Sequence, residues 1–171
     1  HAHDEGQHLQ DVMPTARELG GPGHFATAEG AHLTEADCPP DAGTRLHAAW
    51  APHFDLDRRY FVEKSPPNLL RFRYLQTAFR GCHCVAIVRH PIAVAYATEH
   101  WAKSSIDDLV EHWLRAHELF TDDRRHIERL LVLRYEDLVA DPAHTLARVD
   151  AFCGLPPHAS TAEIKLDAND R

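Results

Sequence analysis

Three junctions in the sequence set charged side chains directly after short apolar runs. Tyr60-Phe61-Val62 runs into Glu63-Lys64-Ser65, Cys84-Val85-Ala86-Ile87-Val88 into Arg89-His90-Pro91, and Leu130-Leu131-Val132-Leu133 into Arg134-Tyr135-Glu136-Asp137. If the apolar runs are parallel neighbouring strands, Lys64, Arg89 and Tyr135 converge on one rim, where an open α/β sheet binds its ligands. Two cations with an aromatic ring beside them make a seat for a nucleotide phosphate. Each side chain alone has a plainer use. Arg89 could cap a helix or pair with a carboxylate, Tyr135 could sit in the core with its hydroxyl satisfied, and Lys64 could be solvated. Their recurrence at successive strand ends favours a site. Glu136 and Asp137 are expected to hold their loop by accepting from backbone N–H groups.

Metal chemistry is not expected. Cys82-His83-Cys84 has the wrong spacing for a zinc knuckle and no second ligand pair follows. The 15 histidines are spread along the chain and read as surface residues. The four cysteines, Cys38, Cys82, Cys84 and Cys153, are too scattered for a disulfide framework and read as free thiols in a reducing compartment.

The elements that must position these residues lie mostly in the second half. Asn68 to Phe79 carries Leu69, Leu70, Phe72, Leu75 and Phe79 near helical spacing, with Pro67 at its start. Cys84–Val88 is a continuous apolar run, expected as a strand buried on both faces, and Ile92 to Trp101 continues as a helix behind Pro91. Ser105 is placed to cap the next helix, with Asp107 and Asp108 against its N-terminal dipole and an apolar face of Leu109, Val110, Trp113, Leu114, His117 and Phe120. A second buried strand is expected at Leu130–Leu133, and a last helix from Asp141-Pro142 through Leu146, Val149 and Phe152, closed by Gly154. The first half is irregular: Gly20-Gly21-Pro22-Gly23 and Cys38-Pro39-Pro40-Asp41 mark turns, residues 14–42 read as loops with short helices, and a helix is suggested from about Ala42 to Phe54. Alternating strands and helices predict an α/β fold with a parallel sheet.

Composition narrows the partners. With 44% hydrophobic and 26% charged residues the chain is an ordinary globular sequence of one domain. Its formal charge of −8 argues against nucleic-acid binding, because a phosphate backbone requires a basic face. No run approaches the roughly 20 apolar residues of a membrane span, and His1-Ala2-His3-Asp4-Glu5 has neither half of a signal peptide. A cytoplasmic location is the default expectation. Oligomeric state and acceptor identity are not legible.

Glu63-Lys64-Ser65-Pro66, then Val88-Arg89-His90-Pro91, then Leu133-Arg134-Tyr135-Glu136-Asp137-Leu138 with Asp141-Pro142, in that order, resemble the sulfotransferases that use 3′-phosphoadenosine 5′-phosphosulfate. The similarity is greatest to bacterial relatives of the tyrosylprotein and heparan sulfotransferases, and covers roughly Glu5 to Pro156. The resemblance implies a P-loop-NTPase-like parallel sheet flanked by helices, with residues 1–58 an irregular and helical substrate-side region and 59–156 an α/β donor-binding core. It implies that Arg89 binds the donor's 3′-phosphate, that Tyr135 contacts the nucleotide, and that Lys64 lies at the transferred sulfuryl group. Glu5 falls where such enzymes place the carboxylate that deprotonates the acceptor; His8 is a rival base, since histidine ordinarily titrates near neutrality. No metal is required.

The sequence also departs from the family. The serine usual eight residues after the arginine is Ala97 here, leaving Thr98, Ser104 or Ser105 as substitutes. The family's Gly-Thr-Thr-type phosphate loop lies upstream of the Glu5 region, and Asn169-Asp170-Arg171 resembles the start of a closing loop. A fragment incomplete at both ends is therefore expected, with its first strand and phosphate loop missing and little activity of its own. The acceptor would be a small molecule, a glycan or a peptide. A P-loop-type kinase is the alternative enzyme class, and should show a Gly-Lys-Ser/Thr loop and a magnesium-binding Asp after a buried strand. A degenerate, non-catalytic nucleotide-binding domain is the third reading.

Overall fold

The computed structural model describes residues 5–157; the expectations attached to Asp4 and to Asn169-Asp170-Arg171 lie outside them. Two of the three apolar runs form strands. β1 (Cys84–Val88) and β2 (Leu130–Arg134) pair in parallel, Cys84 opposite Leu130 and Val88 opposite Arg134. Parallel strands cannot be joined by a tight turn, and the crossover here is two helices, α3 (Pro91–Ala102) and α4 (Ile106–Asp123). The fold is α/β, a small parallel sheet flanked by helices.

The strand expected at Tyr60–Val62 is absent. That segment forms no ladder, and its side chains are exposed, Val62 at 81%. Its β-branched and aromatic content reflects propensity without a partner strand to satisfy it. The expectation of strands buried on both faces also fails: Ile87 is 55% and Val132 39% exposed. Cys84 and Ala86 face the core with Phe72, Phe120 and Ile127.

Helix ends follow their local chemistry. Pro91 opens α3, where a missing N–H costs nothing. The Ser105 hydroxyl accepts from Asp108 N and caps α4, with Asp107 and Asp108 in its first turn. α4 buries Leu109, Ala116, Phe120 and Asp123, whereas Leu114 stays exposed. After β2 the chain enters α5 (Tyr135–Ala140) and α6 (Pro142–Cys153); Asp141 accepts from His144 N, and Gly154 ends α6 with φ 65°. The helix expected over 68–79 is split into a 3-10 turn at Pro66–Leu70 and α2 (Phe72–Ala78), with Arg71 at the break.

The first half is fixed by burial. Met13 and three residues of α1 (Ala42–Trp50), Ala42, Leu46 and Trp50, pack with Tyr74 of α2. Phe25, Ala26 and Ala31 pack with Leu70 and Ala116. An ionic network pins the turn at Thr34–Asp37. Buried Asp123 binds His32 Nε2 at 2.6 Å and Arg73 Nη1 at 3.0 Å, and Arg73 grips Glu35 at 2.6 and 2.8 Å. The Arg73 guanidinium holds the Glu35 carboxyl down to about 2.

The histidines are not all surface residues. Burial lowers His117, which stacks on Trp113 at 3.7 Å, and pushes His112 down to about 4. His112 Nδ1 accepts from Ala26 N at 3.3 Å, a bond only the neutral ring can make with that nitrogen.

Two outcomes are expected. The folded His112 sits below its ordinary 6.5, so the unfolded chain binds protons first on acidification. Stability should therefore fall as pH drops from about 6.5 towards 4, and His112→Phe should flatten that part of a urea-midpoint-versus-pH curve. At the α1–α2 crossing, a Cβ on Gly43 would collide with the Ala78 carbonyl. Gly43→Ala should lower stability by about 1–3 kcal/mol, the usual cost of overpacking, read from the same denaturation experiment.

Candidate functional site

The parallel register accounts for one half of the site. Because Val88 lies opposite Arg134, the next residues leave the sheet together at its carboxyl edge. Arg89 and Tyr135 meet there, the guanidinium carbon 4.6 Å from the ring centroid. That distance suits a cation–π contact, which holds the guanidinium plane while leaving its N–H fork able to donate. Glu136 Oε1 accepts from His90 N at 2.9 Å, tying the turn after β1 to the start of α5. This is the loop-holding part expected of Glu136, and the bond lowers its carboxyl below the usual range.

Lys64 does not stand at a strand end. It lies on the unpaired 60–65 segment, where its ammonium contacts Glu5 Oε1 at 2.5 Å. Two candidates 59 residues apart in the chain are thus brought together. The Lys64 side chain is 74% exposed, so the pair is worth little in stability. His8 sits on the same 3-10 turn, Gly6–Leu9, and is exposed.

Thr98 and its two rivals are already engaged. The Thr98 hydroxyl donates to Val94 O at 2.7 Å within α3. Ser104 Oγ contacts His24 Nε2 at 2.7 Å, and Ser105 is the α4 cap. Ala97 has no polar atom to offer beyond its backbone.

The residues that hold Glu5 were not singled out in the sequence. Ser65 Oγ accepts from the buried Gln7 N at 3.1 Å and donates to the Glu63 carboxylate, which also accepts from Asn68 Nδ2. Trp50 Nε1 donates to Gly6 O at 2.9 Å. Gly6 packs so closely on Glu63 that a Cβ would overlap its side chain. Gln7 is 3% exposed; its Oε1 accepts from Ala16 N at 2.6 Å and its Nε2 donates to Glu5 Oε2 at 2.5 Å. Only the spacing Glu5-Gly6-Gln7, a glycine between two hydrogen-bonding side chains, hinted at this, and it is too short to be a signal. Beneath the segment, Arg71 is fully buried and burial lowers its guanidinium to about 10, with Glu63 acting in the opposite direction.

A groove of about 640 Å³ lies elsewhere, between the Cys38–Pro40 turn and the end of α2. Cys38, His47, Thr77 and Arg80 line it, and Glu5, Lys64, Arg89 and Tyr135 do not. Among the described residues, Cys82-His83-Cys84 does not join other side chains at metal-binding distance, and all four cysteines are unpaired. Among the described residues no helix is long and apolar enough to cross a membrane.

Against this geometry the comparison with known families is specific. A model of the sulfotransferase family matches residues 3–159. Neither the curated proteins nor the solved structures provide a significant match. The chain belongs to the sulfotransferase family. Membership favours a sulfotransferase role over the kinase reading.

Removing Ser65 Oγ strands the buried Gln7 N–H. Ser65→Ala should therefore cost about 1–3 kcal/mol, the desolvation penalty of an unpaired buried donor. Thermal unfolding measures it, and an unchanged midpoint would show that the amide finds another acceptor.

Proposed function

We propose that the chain carries out sulfuryl transfer from 3′-phosphoadenosine 5′-phosphosulfate to a hydroxyl or amine of a small-molecule, glycan or peptide acceptor. The observation that carries this reading is the Glu5–Lys64 contact at 2.5 Å. A carboxylate able to take a proton stands beside an ammonium able to stabilise an anionic oxygen, on a surface open to an incoming substrate. Family membership supplies the reaction class.

The donor, when bound, supplies an activated sulfuryl group whose sulfur–oxygen bond to the nucleotide breaks as a bond to the acceptor forms. Glu5 would take the acceptor's proton as that bond forms. Lys64 would leave the carboxylate and stabilise negative charge on the sulfuryl and leaving oxygens. The Glu5–Lys64 contact suits both roles, since it places the ammonium against the carboxylate and the exposed lysine can swing between partners. His8 would serve only if the acceptor approached from the outer side of the Gly6–Leu9 turn.

Arg89 and Tyr135 fit the nucleotide end. The guanidinium can donate as a fork to a 3′-phosphate while Tyr135 supports it from below. The hydroxyl of Thr98 has its proton committed to Val94 O, so its part would be limited to a lone pair. Arg89 then carries most of the phosphate contact on α3 and its entry turn.

Arg89→Ala should weaken 3′-phosphoadenosine 5′-phosphate binding at least about 10-fold, the value of a charge-assisted hydrogen bond. Isothermal titration of wild type and variant measures this, and equal affinities would overturn the assignment of Arg89. Nucleotide binding without sulfuryl transfer to any acceptor would identify a non-catalytic domain instead.

A further inference from the structure

Gln7 is a polar side chain buried to 3% exposure, in a turn that also buries Gly6 and leaves His8 exposed. A buried carboxamide is retained only where each end finds a partner, and here the partners determine its direction. Ala16 N–H can only donate, so the amide oxygen must face it, at 2.6 Å. Nε2 is thereby turned towards Glu5 Oε2, at 2.5 Å. The second carboxylate oxygen, Oε1, is left to Lys64 Nζ. The Gln7 backbone is held as well, its N–H by Ser65 Oγ at 3.1 Å and its carbonyl by Gln10 Nε2 at 3.1 Å. Ser65 follows Lys64 in the chain, so a closed ring runs from Lys64 to Ser65, to Gln7, to Glu5 and back to Lys64.

We propose that Gln7 is a positioning residue for the Glu5–Lys64 pair: its carboxamide, anchored on Ala16, fixes the rotation of the Glu5 carboxylate so that one oxygen is presented to Lys64. This rests on the reading of Glu5 and Lys64 as the reacting pair for its consequence in catalysis, but not for its geometry. A carboxylate without such a partner would sample many rotations. Gln7 removes that freedom without adding a charge that would compete for Lys64. Glutamate in its place would still accept from Ala16 N, yet would turn a second anion towards Glu5. Asparagine would keep the amide but is one methylene too short to reach both partners.

The test separates positioning from catalysis. In the full chain, acylation of Lys64 by a limiting amount of acetic anhydride is followed by mass spectrometry, with Lys103 as internal reference. Glu5→Gln first reports how much the carboxylate controls Lys64. Gln7→Glu and Gln7→Asn should each change Lys64 labelling at least about twofold relative to Lys103. Lys64 labelling that responds to Glu5→Gln but not to either Gln7 variant overturns the proposal. Labelling that responds to none of the three overturns it too, because the pair then does not persist in solution. If Gln7→Glu fails to fold, Gln7→Asn decides.

In a sulfuryl-transfer assay, Gln7→Asn should lower kcat on the order of 10- to 100-fold with the donor's KM unchanged, as expected for a misaimed reacting group. Gln7→Glu should displace the acid limb of the pH–rate profile to higher pH, because two facing carboxylates resist ionising together. A purely structural Gln7 would lower the fraction of folded protein and leave the profile in place, which overturns the proposal. Absence of transfer by wild type, with labelling that behaves as expected, would refute the proposed function and leave the positioning intact.

Discussion

The constraint on which the structure depends is the parallel pairing of β1 with β2. Parallel strands put both carboxyl ends at one edge, so residues that follow them meet whatever their separation in sequence. Val88 and Arg134 are in register, and Arg89 and Tyr135 follow as neighbours. The same pairing demands a long crossover, which α3 and α4 provide, and α4 in turn supplies Leu109, Ala116, Phe120 and Asp123 to the interior. Slipping the register by one residue would exchange the faces of the strand and separate the arginine from its ring.

Polar burial is the second organising theme. Asp123 is paid for by Arg73 and His32 together, which is how an interior carboxylate is tolerated. Gln7 is satisfied at both ends of its amide. Arg71 is the contrast: fully buried, with Nη1 and Nη2 lacking hydrogen-bond partners among the described residues, and with Glu63 as the anion that offsets its desolvation. Its charge lies under the segment that carries Lys64, at the break between the 3-10 turn and α2. Gln7 with Ser65, Arg71 with Ala31 and Asp123 with His32 each join the irregular first part of the chain to the α/β part.

Much of the fold was legible because local chemistry and tertiary demand agree. Pro91, Ser105, Asp141 and Gly154 set helix boundaries through their own backbone and side-chain chemistry, and the structure uses each where its type requires. Tyr60–Val62 was misleading for the converse reason. Its residues prefer extended backbone, but a strand is a relation between two segments, and among the described residues none pairs with it. Ile87 and Val132 misled in a similar way, since apolar character alone does not say which face will be covered. His112 could not be recognised as half-buried, because the packing that covers it comes from Phe25 and Ala26, far away in the chain.

The sequence by itself determined the sulfotransferase family, the α/β class, the helix caps and the identities of Glu5, Lys64, Arg89 and Tyr135 as candidates, because these rest on residue type and order. Only the tertiary structure decided that Arg89 lies over Tyr135, that Lys64 leaves the sheet rim to contact Glu5, and that Gln7, Ser65 and Glu63 hold the carboxylate in place. The Arg89–Tyr135, Glu5–Lys64 and Gln7–Ser65 contacts join segments tens of residues apart, set by strand register and by the need to satisfy buried donors such as the Gln7 N–H. Neither constraint leaves a periodic or local trace in the chain.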